Sequence, residues 1–327
     1  MATHIGILPR DVLDTISRKI NEADNDIPPS NFLRLPHPRT GIPSLFLPYR
    51  LSPEAKLKVK DCWGVLEVQS VAPPNPRSWL FTEGEVVADG KLLVMTPIDV
   101  SLLLLPILQA LKPTKDATPR FQPLDDLFDE VIPNLCSASP VEPSSEISQQ
   151  DIRTLARLDC VASSMRRVCE VKDLTPEIAV FRYSEEKTTE YLRAKVARLA
   201  NLDVLERSRT IVRGLAKDGL MEDGKEALLE LGRTKAACSL ISQYTPAATY
   251  SALLAHYDFT ALDGYLKKQQ DDATAQAIAS APVAKTKATT EDDGKKRKAK
   301  ASTGVQKLKK ANVTGMAKMS SFFQKVV

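Results

Sequence analysis

Histidine and cysteine are scarce in this sequence, and their scarcity argues against two kinds of site. The 327 residues include three histidines and five cysteines, and no two cysteines form a Cys-x-x-Cys pair. An odd number of scattered cysteines supports neither a disulfide framework nor a Cys/His zinc site. We therefore expect reduced thiols in a cytosolic or nuclear protein, with no bound metal and no other cofactor.

Long apolar runs are also missing. The longest, from Leu102 to Leu111, is interrupted by Pro106 and Gln109 and is too short to cross a membrane. The N-terminus has no basic flank followed by an apolar run, so a signal peptide is not expected. These two absences favour a protein that works away from the membrane.

No constellation of catalytic residues stands out. Asp125 and Asp126, like Glu185 and Glu186, are adjacent in the chain, so their carboxylates point in different directions and do not converge on one ion. The three histidines form no evident triad with a serine or cysteine, and no phosphate-binding or dinucleotide glycine loop is present. An enzyme in its own right is therefore the least favoured interpretation.

Positive charge is concentrated in one segment of the chain. Residues 267–327 contain 14 Lys or Arg against 5 Asp or Glu, which leaves 31 basic and 36 acidic residues of the totals of 45 and 41 for the rest. General attraction to nucleic acid should therefore lie mostly in this tail. The tail has no aromatic residue before Phe322, so it cannot bury enough apolar surface to offset its ordering entropy. It is predicted to be disordered.

Residues 1–95 are predicted to form a small antiparallel β domain. Short apolar runs recur between Pro, Gly and Asn residues, and Ala88–Lys91 is predicted as a turn that pairs Val86–Val87 with Leu92–Met95. Four prolines between residues 36 and 48 are hard to place in central strands, so irregular edges are expected. Incomplete sheets of this kind often finish by pairing with another chain.

Residues 96–266 are predicted to be mainly helical and to contain a winged-helix unit. Asp99 stands at a helix start, ahead of a strongly apolar stretch. Ile152–Val168 has apolar residues at helical spacing, which predicts another helix. Cys169–Lys172 and Val180–Tyr183 are predicted as the short strands of a wing.

A helix that Ser184 is predicted to cap carries several basic side chains. In a winged-helix unit, such a helix can lay its basic groups on a phosphate backbone. The candidate nucleic-acid contacts are Arg182, Lys187, Arg193, Lys195 and Arg198. Because Glu185, Glu186 and Glu190 lie among them, an ordinary solvated helix face is the favoured interpretation.

Within the tail, a basic cluster follows the acidic run Glu291–Asp293. The residues that resemble a monopartite nuclear import signal are Lys295, Lys296, Arg297, Lys298 and Lys300. The alternative is a solvated charge run that touches nucleic-acid phosphates without specificity, and both interpretations can hold. We expect the protein in the nucleus.

The final segment combines two aromatic residues with an aliphatic one. Met319 is followed three positions later by Phe322 and Phe323, as in peptides that bind the sliding clamp PCNA, and Met316 stands where such peptides usually have Gln. One tight turn places the three apolar side chains on the same side. Burying them contributes roughly 5–8 kcal/mol gross, against which ordering the segment costs about 2–5 kcal/mol. The alternative is a chance apolar end, or a short helix that folds back on the body.

Several stretches together resemble the B subunit of the eukaryotic heterotrimeric type 2 ribonuclease H. They occur in the family's order and cover most of the chain: Arg77–Trp79, Thr96–Asp99 with Leu102–Leu105, Phe121–Asp125, Tyr183–Thr188, Leu240–Tyr244 with Pro246, and Gly315–Phe323. The resemblance implies an α+β fold, in which residues 1–95 form part of a triple barrel shared with the small C subunit. Residues 96–266 would form the winged-helix region, and residues 267–327 the disordered tail with the import signal and the clamp-binding motif.

The resemblance also implies a division of labour within a complex. The catalytic carboxylates would lie in the separate A subunit, and this chain would scaffold the complex and recruit it to the sliding clamp. That complex degrades RNA in RNA–DNA hybrids and incises at single ribonucleotides in DNA. The alternative is an independent winged-helix adaptor that binds DNA or chromatin by itself. Tight duplex binding by residues 1–266 with a steep salt dependence would favour this alternative.

Overall fold

The computed structural model describes residues 4–10, 12–13, 32–51, 62–81, 84–111, 120–136, 146–175 and 178–280 of the chain. Within these ranges β structure comes first and helices follow, which confirms the predicted α+β class. The chain divides into two compact units, Met1–Thr274 and Ala275–Val327, and the described part of the second is the end of one helix. In the described ranges we find no helix that is both long and apolar enough to cross a membrane.

The N-terminal part contains a five-stranded sheet and a separate two-stranded hairpin. The sheet strands are β1 (Ile5–Ile7), β2 (Leu33–Pro36), β3 (Pro43–Leu51), β4 (Cys62–Val71) and β7 (Leu92–Ile98), and the hairpin consists of β5 (Trp79–Leu80) and β6 (Val86–Val87). Their order across the sheet is β1-β7-β4-β3-β2. β1 and β7 are parallel, and the other neighbours are antiparallel.

The predicted pairing of Val86–Val87 with the strand after the turn is wrong. Val87 lies opposite Trp79 in the hairpin, whereas β7 pairs along β4 from Val65–Ile98 to Val71–Leu92. The longer ladder gives β7 many more interstrand hydrogen bonds than a two-residue strand offers, so the local turn does not decide the pairing.

Both faces of the sheet are apolar, and they belong to different clusters. Phe46 and Val65 on one face join the main core that the helices build. Leu47 and Leu66 on the other face pack with Val12 in a smaller cluster. Because side chains alternate along a strand, adjacent residues of β3 and β4 serve opposite faces. A sheet of this kind needs cover on both sides.

Helix α1 (Val100–Gln109) leads from the sheet into a winged-helix unit. As predicted, Asp99 caps its start, and the carboxylate accepts a hydrogen bond from the backbone N–H of Ser101 at 3.0 Å. The winged-helix unit comprises β8 (Gln122–Pro123), α2 (Leu124–Cys136), α3 (Gln149–Ala156), α4 (Asp159–Val168), β9 (Cys169–Asp173) and β10 (Ala179–Tyr183). β10 pairs antiparallel with both β8 and β9, which confirms the predicted wing.

The single helix predicted over Ile152–Val168 is in fact two helices, α3 and α4. Leu158 adopts an extended conformation with φ −74° and ψ 129°, which ends the helical ladder. Its side chain is nevertheless buried in the same core as that of Val161, so the apolar spacing continues across the break. Periodicity alone therefore could not reveal the turn.

The remaining helices follow the wing. They are α5 (Glu185–Leu199), α6 (Leu202–Leu205), α7 (Arg209–Lys217), α8 (Glu226–Ser242), α9 (Ala247–Leu254) and α10 (Thr260–Ser280). Ser184 caps α5 as predicted, because its hydroxyl accepts a hydrogen bond from the N–H of Lys187 at 3.2 Å. Leu192 of α5 and Ile241 of α8 lie in the main core. Leu215, Leu220 and Leu262 form a separate small core under α7.

The prediction of disorder from residue 267 is wrong for its first part, because α10 continues to Ser280. Residues 267–279 contain neither Pro nor Gly and are rich in Ala, Gln and Lys. These residues favour helix, and extending a helix that Leu262 already anchors is easier than starting a new one. Residues 281–327 lie outside the described ranges.

Candidate partner interface and nucleic-acid face

The β1 edge of the sheet presents open apolar surface. In β1, Ile5 lies opposite Leu92 and Ile7 opposite Val94 of β7. Among the described residues, no further strand pairs with the outer side of β1. Ile7 and Val71 are both exposed. An apolar edge strand with unpaired backbone groups is a template for another chain.

The opposite edge of the sheet is covered. The backbone N–H of Arg34 in β2 donates a hydrogen bond to the Asp151 carboxylate of α3 at 3.0 Å. Leu33 and Leu35 are buried in the main core. The two edges therefore differ, and the β1 edge is the one that can accept a partner strand.

The β5–β6 hairpin adds a second apolar surface. Leu80 is 77% and Val86 62% exposed, and Trp79 and Phe81 are exposed as well. The Trp79 indole N–H donates to the carbonyl of Lys91 at 3.2 Å, which ties the hairpin to the start of β7. Large apolar side chains concentrated in this way on a small hairpin are typical of a protein–protein interface.

The hairpin depends on one glycine. A Cβ at Gly90 would clash with the carbonyl group of Arg77, 2.7 Å from its carbon atom. Because that neighbour is backbone, it cannot move away as a flexible side chain could. Glycine at this position therefore lets the two strand connections approach each other closely.

A buried carboxylate joins the sheet to the helices. The side chain of Glu67 in β4 is only 3% exposed; it lies 3.3 Å from His37 Nε2 and accepts a hydrogen bond from the Tyr244 hydroxyl at 3.0 Å. Burial opposes ionisation of Glu67, but hydrogen bonds from His37, Gln69 and Tyr244 outweigh it, so its pKa lies below the ordinary value. Burial and the charge of Glu67 together raise the pKa of Tyr244 to about 12.

Asp99 forms a second polar junction. Besides capping α1, its carboxylate accepts hydrogen bonds from the Tyr191 hydroxyl and the Lys195 ammonium group, both on α5. Arg167 Nη1 lies 3.9 Å from the same carboxylate. Burial opposes ionisation of Asp99, but the hydrogen bonds from Lys195 and Tyr191 outweigh it and lower its pKa.

A groove of about 410 Å³ runs beside the wing. Its lining residues are Phe121, Arg166, Cys169, Glu170, Val171, Lys172 and Lys187. The Phe121 ring has Lys172 Nζ 4.1 Å and the Arg182 guanidinium 4.5 Å from its centroid. Burial raises the pKa of the Cys169 thiol to about 12, so this cysteine stays protonated and is a poor nucleophile.

The five candidate nucleic-acid contacts differ in whether an acidic side chain already pairs with them. Arg182 donates to the Glu170 carboxylate, and Lys195 to that of Asp99. Lys187, Arg193 and Arg198 are exposed. The ion pairs already neutralise two of the five cations, and contact with nucleic acid stays a prediction for the set.

The sequence also did not reveal which helix corresponds to the recognition helix of a helix-turn-helix. In a helix-turn-helix the second helix is the one that enters the major groove. Here that helix is α4, which precedes the wing, and not α5, which follows it. Its Arg166 pairs with Asp173 of β9. The signal that marks α4 is Asp159, an acidic residue that begins a new first turn directly after the break at Leu158.

The predicted clamp-binding residues Met316, Met319, Phe322 and Phe323 lie outside the described ranges, and so does the import cluster from Lys295 to Lys300. Both stay predictions. In the part of the chain that the structure does describe, we find no group of three or more His, Cys, Asp or Glu side chains that could hold a metal ion.

Comparison with known proteins matches both halves of this architecture. A family model described as the Ydr279p protein triple barrel domain matches residues 7–99. A second, described as the Ydr279p protein family (RNase H2 complex component) wHTH domain, matches residues 102–254. The predicted succession of triple barrel and winged helix is thereby confirmed.

Two relatives extend this likeness along the chain. The B subunit of ribonuclease H2 from Xenopus tropicalis is 27% identical over 254 residues, which cover 76% of this chain and 74% of the relative. The corresponding B subunit from Schizosaccharomyces pombe is 28% identical over 307 residues, covering 90% of this chain and 94% of the relative.

Proposed function

Because this chain belongs to the Ydr279p family of RNase H2 complex components, we propose that it is the non-catalytic B subunit of a type 2 ribonuclease H. The observation that supports this proposal most is that the triple-barrel and winged-helix family models match one after the other, over residues 7–99 and 102–254. The B subunit scaffolds the complex, and chemistry is left to a separate catalytic A subunit. A metal-dependent nuclease activity of the purified chain alone would contradict this division.

The partner surface of the B subunit is the β1 edge together with the β5–β6 hairpin. Strand addition at β1 satisfies its backbone groups, and the hairpin buries apolar side chains against the small C subunit. Fully burying a side chain such as Leu80 or Val86 contributes about 1.5–3 kcal/mol. The exposure of both residues in the chain by itself supports this assignment.

A pair of matched double variants tests the interface. Leu80→Asp with Val86→Asp places two charges on the hairpin, so we expect the catalytic and small subunits to be lost when the chain is purified after co-expression. Leu174→Asp with Ile178→Asp is the control, because these residues are similarly exposed, at 65% and 51%, but lie at the wing. Retention of both partners by the hairpin variant, or their equal loss in the control, would overturn the assignment.

The substrates of the complex are RNA–DNA hybrids and DNA that contains single ribonucleotides. The purified complex should cleave both substrates in the presence of a divalent cation, whereas the chain alone should cleave neither. Cleavage of the hybrid without incision at a single ribonucleotide would restrict the proposal to the first substrate.

The tail of the chain recruits the complex to the sliding clamp PCNA. Phe322 and Phe323 supply the apolar anchor, with Met319 beside them and Met316 at the leading position. We expect Phe322→Ala with Phe323→Ala to abolish capture on immobilised clamp while hybrid cleavage is unchanged. Val326→Ala with Val327→Ala is the matched control at the same end of the chain, and an equal loss of capture in this control would argue against a specific anchor.

The cluster from Lys295 to Lys300 imports the chain into the nucleus. Changing its five basic residues to Gln should leave a fluorescent fusion in the cytoplasm. The same change at Lys307, Lys309 and Lys310 is the control for general loss of positive charge, and it should leave the fusion nuclear. Nuclear accumulation of the cluster variant would refute the assignment.

A further inference from the structure

Helix α7 exposes a stripe of positive charge that lies outside the candidate nucleic-acid contacts between residues 182 and 198. Arg209, Arg213 and Lys217 are all exposed and recur at every fourth residue. At 1.5 Å of rise per residue, they lie about 6 Å apart along one side of the helix. Among the described residues, none offers these three side chains an ion pair or a hydrogen bond.

The opposite side of α7 is held firmly against the helical body. Leu215 is buried with Leu220 and Leu262 in the small core. Gly232 of α8 lies under them, and a Cβ there would come 3.1 Å from Leu215 and 2.8 Å from Leu220. The missing side chain lets α7 and the turn after it pack closely on α8. The stripe is therefore presented outward by a fixed helix.

The charge of this segment is only partly offset by its neighbours. Residues 206–218 contain four basic residues and two acidic ones, Glu206 and Asp218, and neither carboxylate forms an ion pair with the stripe. In the winged-helix unit, by contrast, Arg166 pairs with Asp173 and Arg182 with Glu170. Like charges at this spacing repel one another and weaken a helix, so an anionic partner would stabilise α7.

We propose that Arg209, Arg213 and Lys217 bind the phosphate backbone of a nucleic-acid duplex. This inference rests on the proposed function, because a component of a nuclease complex lies next to such a polyanion. Each strand advances about 3.4 Å per nucleotide along the axis, so the stripe of about 12 Å can meet more than one phosphate. Contacts of this kind position the duplex and read no sequence.

The test measures duplex affinity of the full chain in complex with its co-expressed partner subunits. Arg209→Gln, Arg213→Gln and Lys217→Gln are combined, and binding of a fluorescent RNA–DNA hybrid is titrated at several salt concentrations. Each lost phosphate contact should reduce the slope of log affinity against log salt by about 0.9, so three contacts reduce it by about 2.7. At low salt we expect an affinity loss of at least about tenfold.

Two further variants make the result specific. Arg39→Gln with Arg120→Gln and Arg157→Gln removes the same charge from exposed residues elsewhere in the body, and it should leave both affinity and slope unchanged. Arg209→Lys with Arg213→Lys keeps the charge and should retain most of the binding. Unchanged slope and affinity in the α7 variant would overturn the inference. It would also be overturned if the α7 variant bound the hybrid like wild type but no longer co-purified with a partner subunit, because the stripe would then bind protein.

Failure of the inference is distinguishable from failure of the proposed function. If the wild-type chain does not co-purify with the other subunits, the proposed function fails. If the α7 variant co-purifies normally and still binds the hybrid with wild-type salt dependence, only the assignment of α7 fails.

Discussion

Replacing Asp99 tests how much one of the two polar junctions between the sheet and the helices contributes to stability. Its side chain caps α1 through the N–H of Ser101 and accepts hydrogen bonds from Tyr191 and Lys195 on α5. Loss of the cap costs about 1 kcal/mol. Loss of the hydrogen bonds from a charged partner costs a further 1.5–3 kcal/mol or so. Asp99→Ala should therefore lower the opening free energy of α1 and α5 by about 2.5–4 kcal/mol.

Asp99→Asn separates these two contributions. Asparagine caps a helix as well as aspartate does, but it cannot form the ion pair with Lys195. We expect this variant to lose only about 1.5–3 kcal/mol. Amide hydrogen exchange, measured by mass spectrometry on the co-purified complex, reports the opening of α1 and α5 directly. Exchange there should speed up on the order of 100- to 1,000-fold for alanine and 10- to 100-fold for asparagine.

An exposed ion pair of the same protein supplies the control. Asp129 pairs with Arg153, but both side chains are at least half exposed, so Asp129→Ala should change exchange little.

Because the pKa of Asp99 is lowered, its contribution to stability is complete above the ordinary value of about 3.9 and is lost as the pH falls through the folded value. Equal exchange in wild type and Asp99→Ala at pH 7 would refute the reasoning.

Three further predictions concern the sheet. Glu67→Gln should increase pepsin cleavage of this chain in the complex at pH 5. Because the pKa of Glu67 is lowered, its stabilisation is present above the ordinary value and is lost as the pH falls through the folded value, so the difference from wild type should shrink over that range. Gly64→Ala should destabilise the sheet by about 1–3 kcal/mol, measured by pulse proteolysis, since the new Cβ would come within 2.6 Å of the Tyr49 ring. Gly90→Ala should displace the β5–β6 hairpin from Arg77 and reduce co-purification of the partner subunits; wild-type recovery would show that the hairpin is not the contact.

Local signals in the sequence were sufficient for much of the fold. Asp99 and Ser184 were identified as helix starts because a capping side chain acts on N–H groups two or three residues away. The wing strands were identified because the pattern that predicts each strand is local and spans only a few residues. The break at Leu158 was missed because a buried side chain keeps the apolar period through a turn.

Features that depend on distant residues could not be predicted. Arg182 and Lys195 are residue types that commonly contact nucleic acid. In the fold, however, Arg182 pairs with Glu170 and Lys195 with Asp99. The acidic partner of Lys195 is 96 residues away in the chain. The α7 stripe became visible only when the structure showed that no such partner reaches it among the described residues.

The junction between sheet and helices determines what a partner bound to the sheet can control. One apolar cluster runs from Leu35 and Phe46 of the sheet through α1 to Ile241 of α8, and Glu67 and Asp99 add polar contacts across the same boundary. Continuous close packing leaves no seam along which the two parts could hinge. A partner that pairs with β1 therefore also fixes the direction of the winged helix, and that of α7 through its packing on α8. It follows that loosening the junction at Asp99 should lower duplex affinity in the complex even though every cation of α7 is still in place.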